Sequence, residues 1–455
     1  MALLRQPDQL VNLSLQTLCK YICTLIDNSS SIKDTCTYLE HLFRDGVPQS
    51  MADIVTENLL WALDAKLTYV DKSLSKLFDI VIMPTVTRLD FCLHSLHQVP
   101  YKAFYYHWNG HIIPEVLQRL HVLQNLRVLR IFHTFDGKYT FPSSLVEFTY
   151  HNNCDKKILK QLSKCCKDLR KLDLYNSTSI GDSSVEFILK FKSLQHIDLF
   201  GTYINEKGMT ELLEKLAKNK CKENVPPLKS FGCSNLTSLQ FEMLMNNFSQ
   251  LTSLKFARNT RCEFDLLENL KFLKSFSITD VSARDLYKII KSVGNQLVLL
   301  HFGCDEEFDL RKLAAECITI ECLHVNSATR YINVPDVKEM KRLPGLKLVK
   351  CLYANLYNSP EATCCLISTC QDVEVLEVNT DTDGCLIAET ILNNPMTSLK
   401  ELNWWCSGDV RDVTLKVVQH CTNLQVLRGY YVWKRRGNIK NDIPVDRNID
   451  WFRFL

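Results

Sequence analysis

Several side chains in this sequence could do chemistry, but their spacing does not match a catalytic or metal-binding site. The 455 residues contain no phosphate-binding glycine loop, no Gly-x-Ser-x-Gly elbow and no His-Glu-x-x-His helix. The acidic run Asp305, Glu306 and Glu307 is typical of a solvated turn, and "HSLH", from His94 to His97, stands alone as a pair of possible metal ligands. We therefore expect no enzyme activity, no metal and no cofactor.

The 20 cysteines are scattered along the chain and include no Cys-x-x-Cys pair. The N-terminal segment "MALLRQPDQLVN" lacks the continuous apolar run and the cleavage site of a secretion signal, so we expect a protein of the cytoplasm or nucleus. In that reducing compartment cysteines serve as small buried apolar residues rather than as disulfides. The net charge of +3 and the lack of an 18-residue apolar run predict neither nucleic-acid nor membrane binding.

The first pattern that could bind a partner is "NLSLQTLCKYIC", residues 12–23. Its apolar residues recur at steps of three and four, which places them on one face of a helix. The pattern belongs to a leader, residues 1–82, whose helices we expect at about 9–26, 33–44, 49–63 and 71–79. The leader could simply cap the end of the domain that follows, or it could present its apolar stripe to another protein.

Residues 83–455 consist mainly of a repeated L-x-x-L-x-L block, and most consecutive blocks begin 22 to 27 residues apart. This period is typical of leucine-rich repeats, in which each unit forms one short strand and one returning helix. We expect about 13 repeats in an α/β solenoid with parallel strands on its concave face, preceded by the all-α leader. The blocks begin at residues 126, 145, 169, 194, 251, 273, 297, 320, 373, 399 and 424, with weaker copies at 228 and 346, and "VTRLDFCL" (86–93) is expected to form a first strand or cap.

The residues between and just after the repeat leucines should face the concave side. Large rings at such positions would be suited to binding another protein, although irregular strands could also turn them into the core. We expect the C-terminal end to bind a substrate segment that contains acidic residues. The candidate substrate-binding residues are Tyr175, Phe200, Trp405, Arg428 and Tyr430, and Phe132 occupies a similar position.

The leader also resembles a known partner-binding motif. Ser14, Leu15 and Cys19 match the hydroxyl-Leu-x-x-x-Cys core of the box by which substrate receptors bind elongin C. The resemblance implies that the leucine enters a pocket of elongin C and that the cysteine packs one turn later. Cys23 stands where the box usually has an aliphatic residue. The residues implied to bind elongin C are Ser14, Leu15, Leu18, Cys19 and Ile22.

A second pattern follows in "VPQSMADIV", residues 47–55, which is similar to the box that binds cullin-2. The residues implied to bind the cullin are Val47, Pro48, Met51 and Val55. Together the two patterns resemble a von Hippel–Lindau box, and "GVPQSMADIVTENLLWA" resembles the zyg-eleven and zer-one receptor family. The resemblance implies a non-enzymatic, substrate-recognition subunit of an E3 ubiquitin ligase, with elongin C, elongin B, cullin-2 and a protein substrate as partners.

This sequence departs from that family after the repeats. Family members continue into an armadillo-like domain, whereas this sequence ends at "DWFRFL" with repeats reaching Leu424, so we expect the repeats themselves to bind substrate.

Two alternatives stay open. Cysteine-bearing repeats such as "CCKDLRKL" and "HCTNLQVL" also resemble F-box adaptors of Skp–cullin ligases, although the leader lacks their Leu-Pro start and tryptophan. The second alternative is a scaffold that has no role in ubiquitylation and whose leader only caps the solenoid.

Overall fold

The computed structural model describes residues 17, 21, 24, 36–41, 51–66, 75–91, 112–132, 139–152, 154–220, 225–257, 262–327, 332–407, 411–429 and 450–452. The chain divides into two compact units, Met1–Pro226 and Pro227–Leu455. Each unit contains a run of parallel strands joined by helices or turns, which confirms the predicted α/β leucine-rich-repeat fold. The division between leader and repeats after residue 82 stays a prediction.

In the first unit, each strand pairs in parallel with the next one along the chain. The strands are β1 (Arg88–Asp90), β2 (Val128–Ile131), β3 (Glu147–Tyr150), β4 (Lys171–Asp173) and β5 (His196–Leu199). The helices are α1 (Ala52–Lys66), α2 (Ser75–Val81), α3 (Ile113–Gln118), α4 (Lys156–Cys165), α5 (Val185–Ile188) and α6 (Glu206–Lys220), with short 3-10 turns at Leu120–Val122 and Asp182–Ser184.

In the second unit, strands also pair in parallel in chain order, and β10 and β12 form a separate two-stranded sheet. The strands are β6 (Ser230–Cys233), β7 (Ser253–Ala257), β8 (Ser275–Thr279), β9 (Leu299–Gly303), β10 (Phe308–Asp309), β11 (Cys322–Ser327), β12 (Ile332–Asn333), β13 (Cys351–Leu356), β14 (Val375–Asp383), β15 (Glu401–Ser407), β16 (Val426–Gly429) and β17 (Asp450–Phe452). The helices are α7 (Ser238–Asn247), α8 (Ala283–Val293), α9 (Leu310–Glu316), α10 (Val337–Met340), α11 (Pro360–Thr369), α12 (Gly384–Leu392) and α13 (Arg411–His420), with a 3-10 helix at Phe264–Asn269.

The repeat leucines form the core because alternate residues of a strand point to opposite faces of the sheet. In the repeat around β4, Leu169, Leu172 and Leu174 are fully buried, whereas Lys171 and Tyr175 are half-buried on the other face. The same alternation of burial recurs in β2 and β5, whereas in β3 and in most strands of the second unit the residue between the core positions is buried as well. The apolar spacing within one repeat therefore accounts for the orientation of its strand.

In several repeats a buried cysteine stands three residues before the first apolar residue of the L-x-x-L-x-L block. Cys166 and Cys421 occupy this position in the two repeats noted from the sequence, and Cys317 and Cys370 occupy it in two more. Each backbone N–H donates to a carbonyl four residues earlier and so ends the preceding helix. Burial raises the pKa of the Cys166 thiol to about 12. These thiols therefore act as small apolar groups, as expected.

Two repeat assignments differ from the sequence analysis. The weak copy predicted to begin at Leu346 in fact begins at Val349, because Leu346 lies in the preceding turn with a φ of 62°. The structure also adds β17, which pairs with β16 and which the leucine pattern did not predict. The expected first strand within 86–93 is confirmed as β1.

Candidate functional site

The opening helix of the leader is described at Thr17, Tyr21 and Thr24, which are helical and exposed. The ring of Tyr21 lies 6.5 Å from that of Tyr38, which belongs to the helical segment 36–41, in an edge-to-face arrangement. Helices are thus present where the sequence predicted the first two. The elongin C anchors lie outside the described residues and stay predictions: Ser14, Leu15, Leu18, Cys19 and Ile22.

The second predicted partner pattern ends in α1. Val47 and Pro48 lie outside the described residues, and Met51 is half-buried immediately before the helix. Val55 is only 3% exposed and packs in the chain's own core, whereas Ile54 is 44% exposed. The apolar side chain that faces solvent beside Met51 is therefore Ile54. A cullin contact at Val55, which stays a prediction, would require that core to open.

Hydrogen bonds join α1 directly to the start of the repeats. The Asp53 carboxylate accepts hydrogen bonds from the Thr87 backbone N–H at 2.6 Å, the Thr87 hydroxyl at 2.5 Å and the Arg88 N–H at 3.1 Å. The Thr56 hydroxyl donates to the Val81 carbonyl at 3.0 Å. These bonds satisfy the backbone at the first strand, so this part of the leader caps the repeats.

A titratable carboxyl group lies at the same junction. Burial raises the pKa of Glu57 from 4.5 to about 7, and the nearby carboxylates of Asp90 and Asp53 add to the effect, whereas the guanidinium groups of Arg88 and Arg130 oppose it. A carboxyl group with a raised pKa in the folded state stabilises the fold fully below its unfolded pKa. That contribution is lost as the pH rises toward the folded value.

We therefore expect Glu57→Gln to change the pH dependence of stability. The free energy of unfolding should be similar to that of the unmodified chain at pH 4.5, because Glu57 is then protonated in the folded state. Above pH 7 the variant should be more stable, by at most about 3 kcal/mol. Urea unfolding at several pH values measures this difference, and a difference independent of pH would contradict the assignment.

The strand face of the first unit that points away from the core carries a row of rings, which we call the aromatic ladder: Phe132, His151, Tyr175 and Phe200. Neighbouring ring centroids are 4.4, 5.3 and 5.6 Å apart, and the last pair is stacked at an angle of 16°. All four side chains are half-buried. The sequence analysis missed His151, although it follows "LVEFTY" at the position where Tyr175 follows "LRKLDL".

In two of these repeats the residue two positions before the ladder ring is acidic. The half-buried carboxylates of Asp173 and Asp198 accept hydrogen bonds from the backbone N–H groups of Tyr175 and Phe200, at 3.2 and 2.9 Å. The Oδ1 atom of Asp173 is also 2.9 Å from Nε2 of His151, although the two are not aligned for a hydrogen bond. The surface thus combines aromatic rings with two carboxylates.

The strand face of the second unit carries buried polar side chains. Oγ of Ser277 is 2.7 Å from Nδ1 of His301, the rings of His301 and His324 are 4.2 Å apart, and the Asn355 amide is 2.9 Å from Nε2 of His324. Burial lowers the pKa of His301 well below its usual value. Ser277 and His301 are 3% and 1% exposed, so a substrate could not reach this serine–histidine pair. The arrangement is structural.

The predicted C-terminal site is only partly described. Trp405 is half-buried, and Tyr430 lies outside the described residues. Arg428 is buried and forms an ion pair with Glu401, and its Nη1 atom also donates to the Asn403 side chain at 3.2 Å. A substrate carboxylate would have to compete with this internal pair. The roles predicted for these residues stay predictions.

Within the described part of the chain, no three His, Cys, Asp or Glu side chains lie close enough together to hold a metal ion. The paired histidines of "HSLH" are outside it. Among the same residues no helix is both long enough and apolar enough to cross a membrane.

Comparison with known proteins identifies the fold. No protein-family model and no curated protein matches the chain. A chain in the crystal structure of the yeast Rad7 and Elc1 complex is 14% identical, with 92% of this chain and 93% of that chain covered and a TM-score of 0.50. An internalin of Listeria monocytogenes is 15% identical, with coverages of 82% and 94% and a TM-score of 0.32. A leucine-rich-repeat protein of Leptospira interrogans is 15% identical, with coverages of 78% and 93% and a TM-score of 0.30.

Proposed function

We propose that this protein is a substrate receptor of an elongin C-containing ubiquitin ligase. The observation that carries the proposal is the succession of an elongin C box pattern, a cullin-2 box pattern and leucine-rich repeats in one chain. The helical and exposed positions Thr17, Tyr21 and Thr24 agree with the helix that the first box requires.

The comparison with Rad7 and Elc1 supports the partner. In that complex a leucine-rich-repeat chain is bound to Elc1, which is an elongin C. By analogy we propose elongin C as the direct partner of the leader, with elongin B and cullin-2 joining through elongin C and the second box. The receptor would do no chemistry itself, because holding a substrate near a ubiquitin-charged enzyme raises the effective concentration of the substrate lysines.

The two faces of α1 bear on whether the leader only caps the repeats or also binds a partner. α1 caps the first strand through Asp53, and its buried Val55 belongs to the same core. The opposite side of α1 leaves Ile54 44% exposed beside half-buried Met51. Capping and partner binding can therefore use different faces of one helix. We propose that Met51 and Ile54 contribute to the cullin surface together with Val47 and Pro48.

Co-purification tests the proposal. The tagged full-length chain is co-expressed with elongin B and elongin C, and separately with a Skp-type linker, and each mixture is passed through a sizing column. We expect a stable complex with elongin B/C, to which added cullin-2 binds. Binding to the Skp-type linker would favour the F-box alternative, and binding to neither would favour the scaffold. Selective recovery of cullin-5 would show that the cullin-2 pattern is a chance match.

We propose the aromatic ladder as a substrate surface. Its rings are half-buried in four consecutive repeats, and aromatic side chains are common anchors of interfaces. The adjacent carboxylates of Asp173 and Asp198 favour a substrate segment in which an apolar side chain stands beside Lys or Arg. Arg428, by contrast, already has its charge neutralised by Glu401. For this reason we place the main substrate contact in the first unit rather than at the C-terminal end.

We expect the double variant Tyr175→Ala/Phe200→Ala to lose substrate capture and to keep elongin C. Truncating central aromatic anchors typically costs about 2 kcal/mol or more each, which is roughly thirtyfold in affinity. The measurement is quantitative proteomics in cells that lack the receptor: substrates accumulate, and re-expression of the unmodified chain lowers them again.

The double variant should fail to lower those substrates, whereas the matched control Trp405→Ala should restore their turnover. If Trp405→Ala does not lower the accumulated substrates and the double variant does, the substrate surface lies at the C-terminal end, as the sequence analysis predicted.

A further inference from the structure

Two cysteines face each other on neighbouring strands of the second unit. Cys322 of β11 and Cys351 of β13 are directly paired in the parallel register. The next residues, Leu323 and Leu352, are fully buried, so the two cysteines lie on the face of the sheet away from the core. Both thiols are free and half-buried. Both residues are thus partly exposed to solvent.

The spacing of the strands suits a bond between the two sulfur atoms. Neighbouring strands lie about 4.7–4.9 Å apart, and disulfides usually join Cα atoms about 4.4–6.8 Å apart. The two side chains already form a hydrogen bond. This bond raises the pKa of Cys322 and lowers the pKa of Cys351. Lys350 also lowers the pKa of Cys351, whereas burial opposes the shift.

Cys351 differs from the other cysteines for which the structure resolves a pKa shift, including Cys322. Burial raises the pKa of the Cys166, Cys317 and Cys370 thiols to about 12, and it raises the pKa of the half-buried Cys364 as well. The thiolate is the nucleophile in cysteine oxidation, so a raised pKa protects these groups. Among these thiols, Cys351 is the one whose pKa is lowered.

We propose that Cys322 and Cys351 form a reversible dithiol–disulfide site on the strand face of the second unit, with hydrogen peroxide as the oxidant. The Cys351 thiolate attacks one peroxide oxygen, which breaks the O–O bond and gives a sulfenic acid and hydroxide. The Cys322 sulfur then attacks the Cys351 sulfur and displaces hydroxide. The two thiol protons convert both hydroxides to water, so two thiols and one peroxide give one disulfide and two waters.

Peptide mapping of the native, full-length protein tests the proposal. The protein is treated with hydrogen peroxide, quenched with an alkylating reagent under native conditions, and then digested. We expect one disulfide-linked peptide pair containing Cys322 and Cys351, the loss of two alkylated sites, and recovery of both after dithiothreitol. The half-buried Cys262 and Cys385 serve as internal controls and should stay alkylated.

Single variants separate the two roles. Cys322→Ser should leave Cys351 to stop at the sulfenic acid, which a dimedone-type reagent traps, whereas Cys351→Ser should leave Cys322 reduced and alkylated. Far-UV circular dichroism checks that both variants are folded, and the result on the unmodified chain does not depend on them. The proposal is overturned if Cys322 and Cys351 stay alkylated to the same extent as Cys262 and Cys385, or if either forms its disulfide with another cysteine.

Discussion

The Leu15→Ala variant is expected to lose affinity for elongin C about thirtyfold, while the repeats remain folded. In the box that the leader resembles, this leucine is the central apolar anchor, and truncating such an anchor typically costs about 2 kcal/mol or more. Titration of the purified chain with elongin B/C by calorimetry measures the affinity. Thermal unfolding of the same sample measures the stability of the repeats.

Thr17→Ala is the matched control for this variant. Thr17 lies two residues further along the same helix and is exposed. Its substitution should change neither affinity nor stability by much, because exposed positions outside an interface are usually tolerant. If Leu15→Ala unfolds the protein while elongin C binding of the folded fraction is unchanged, the leader is a cap and the proposed partner loses its main support.

The Glu401→Ala variant is expected to destabilise the second unit by about 3–5 kcal/mol. Glu401 and Arg428 pair on neighbouring strands, and each side chain is only 9% exposed. Removing one member of a buried pair leaves the other charge buried without compensation, which is the costly case. The Asn403 side chain, which accepts from Arg428 at 3.2 Å, offsets part of this loss. Urea unfolding measures the change.

A surface pair that joins the repeat of β15 to the repeat before it provides the control. Lys400 and Glu374 form an ion pair at 2.6 Å, but their side chains are 51% and 38% exposed. Glu374→Ala should therefore cost about 1 kcal/mol or less. Equal losses of unfolding free energy in Glu401→Ala and Glu374→Ala would show that the Arg428 charge is solvated without Glu401. A substrate could then reach that charge.

Most of the repeat architecture could be predicted from the leucine spacing. The strands begin two residues after the predicted block starts at Leu126, Leu169, Leu194 and Leu399, because each leucine is buried by contacts with the adjacent repeats. The failure at Leu346 has a local cause. Two apolar residues three apart, Leu346 and Val349, both fit the pattern, and the turn that decides between them is not visible in spacing alone.

The candidate sites also depend partly on spacing within a repeat and partly on tertiary contacts. The sequence by itself determined the fold, the leader helices and which residues follow each repeat strand, because these depend on spacing within about 25 residues. The tertiary structure alone decided which of them meet. It added His151 to the aromatic ladder, paired Arg428 with Glu401 and placed Val55 in the core. Those outcomes depend on side chains of neighbouring strands and helices, whose register and packing no pattern within one repeat specifies.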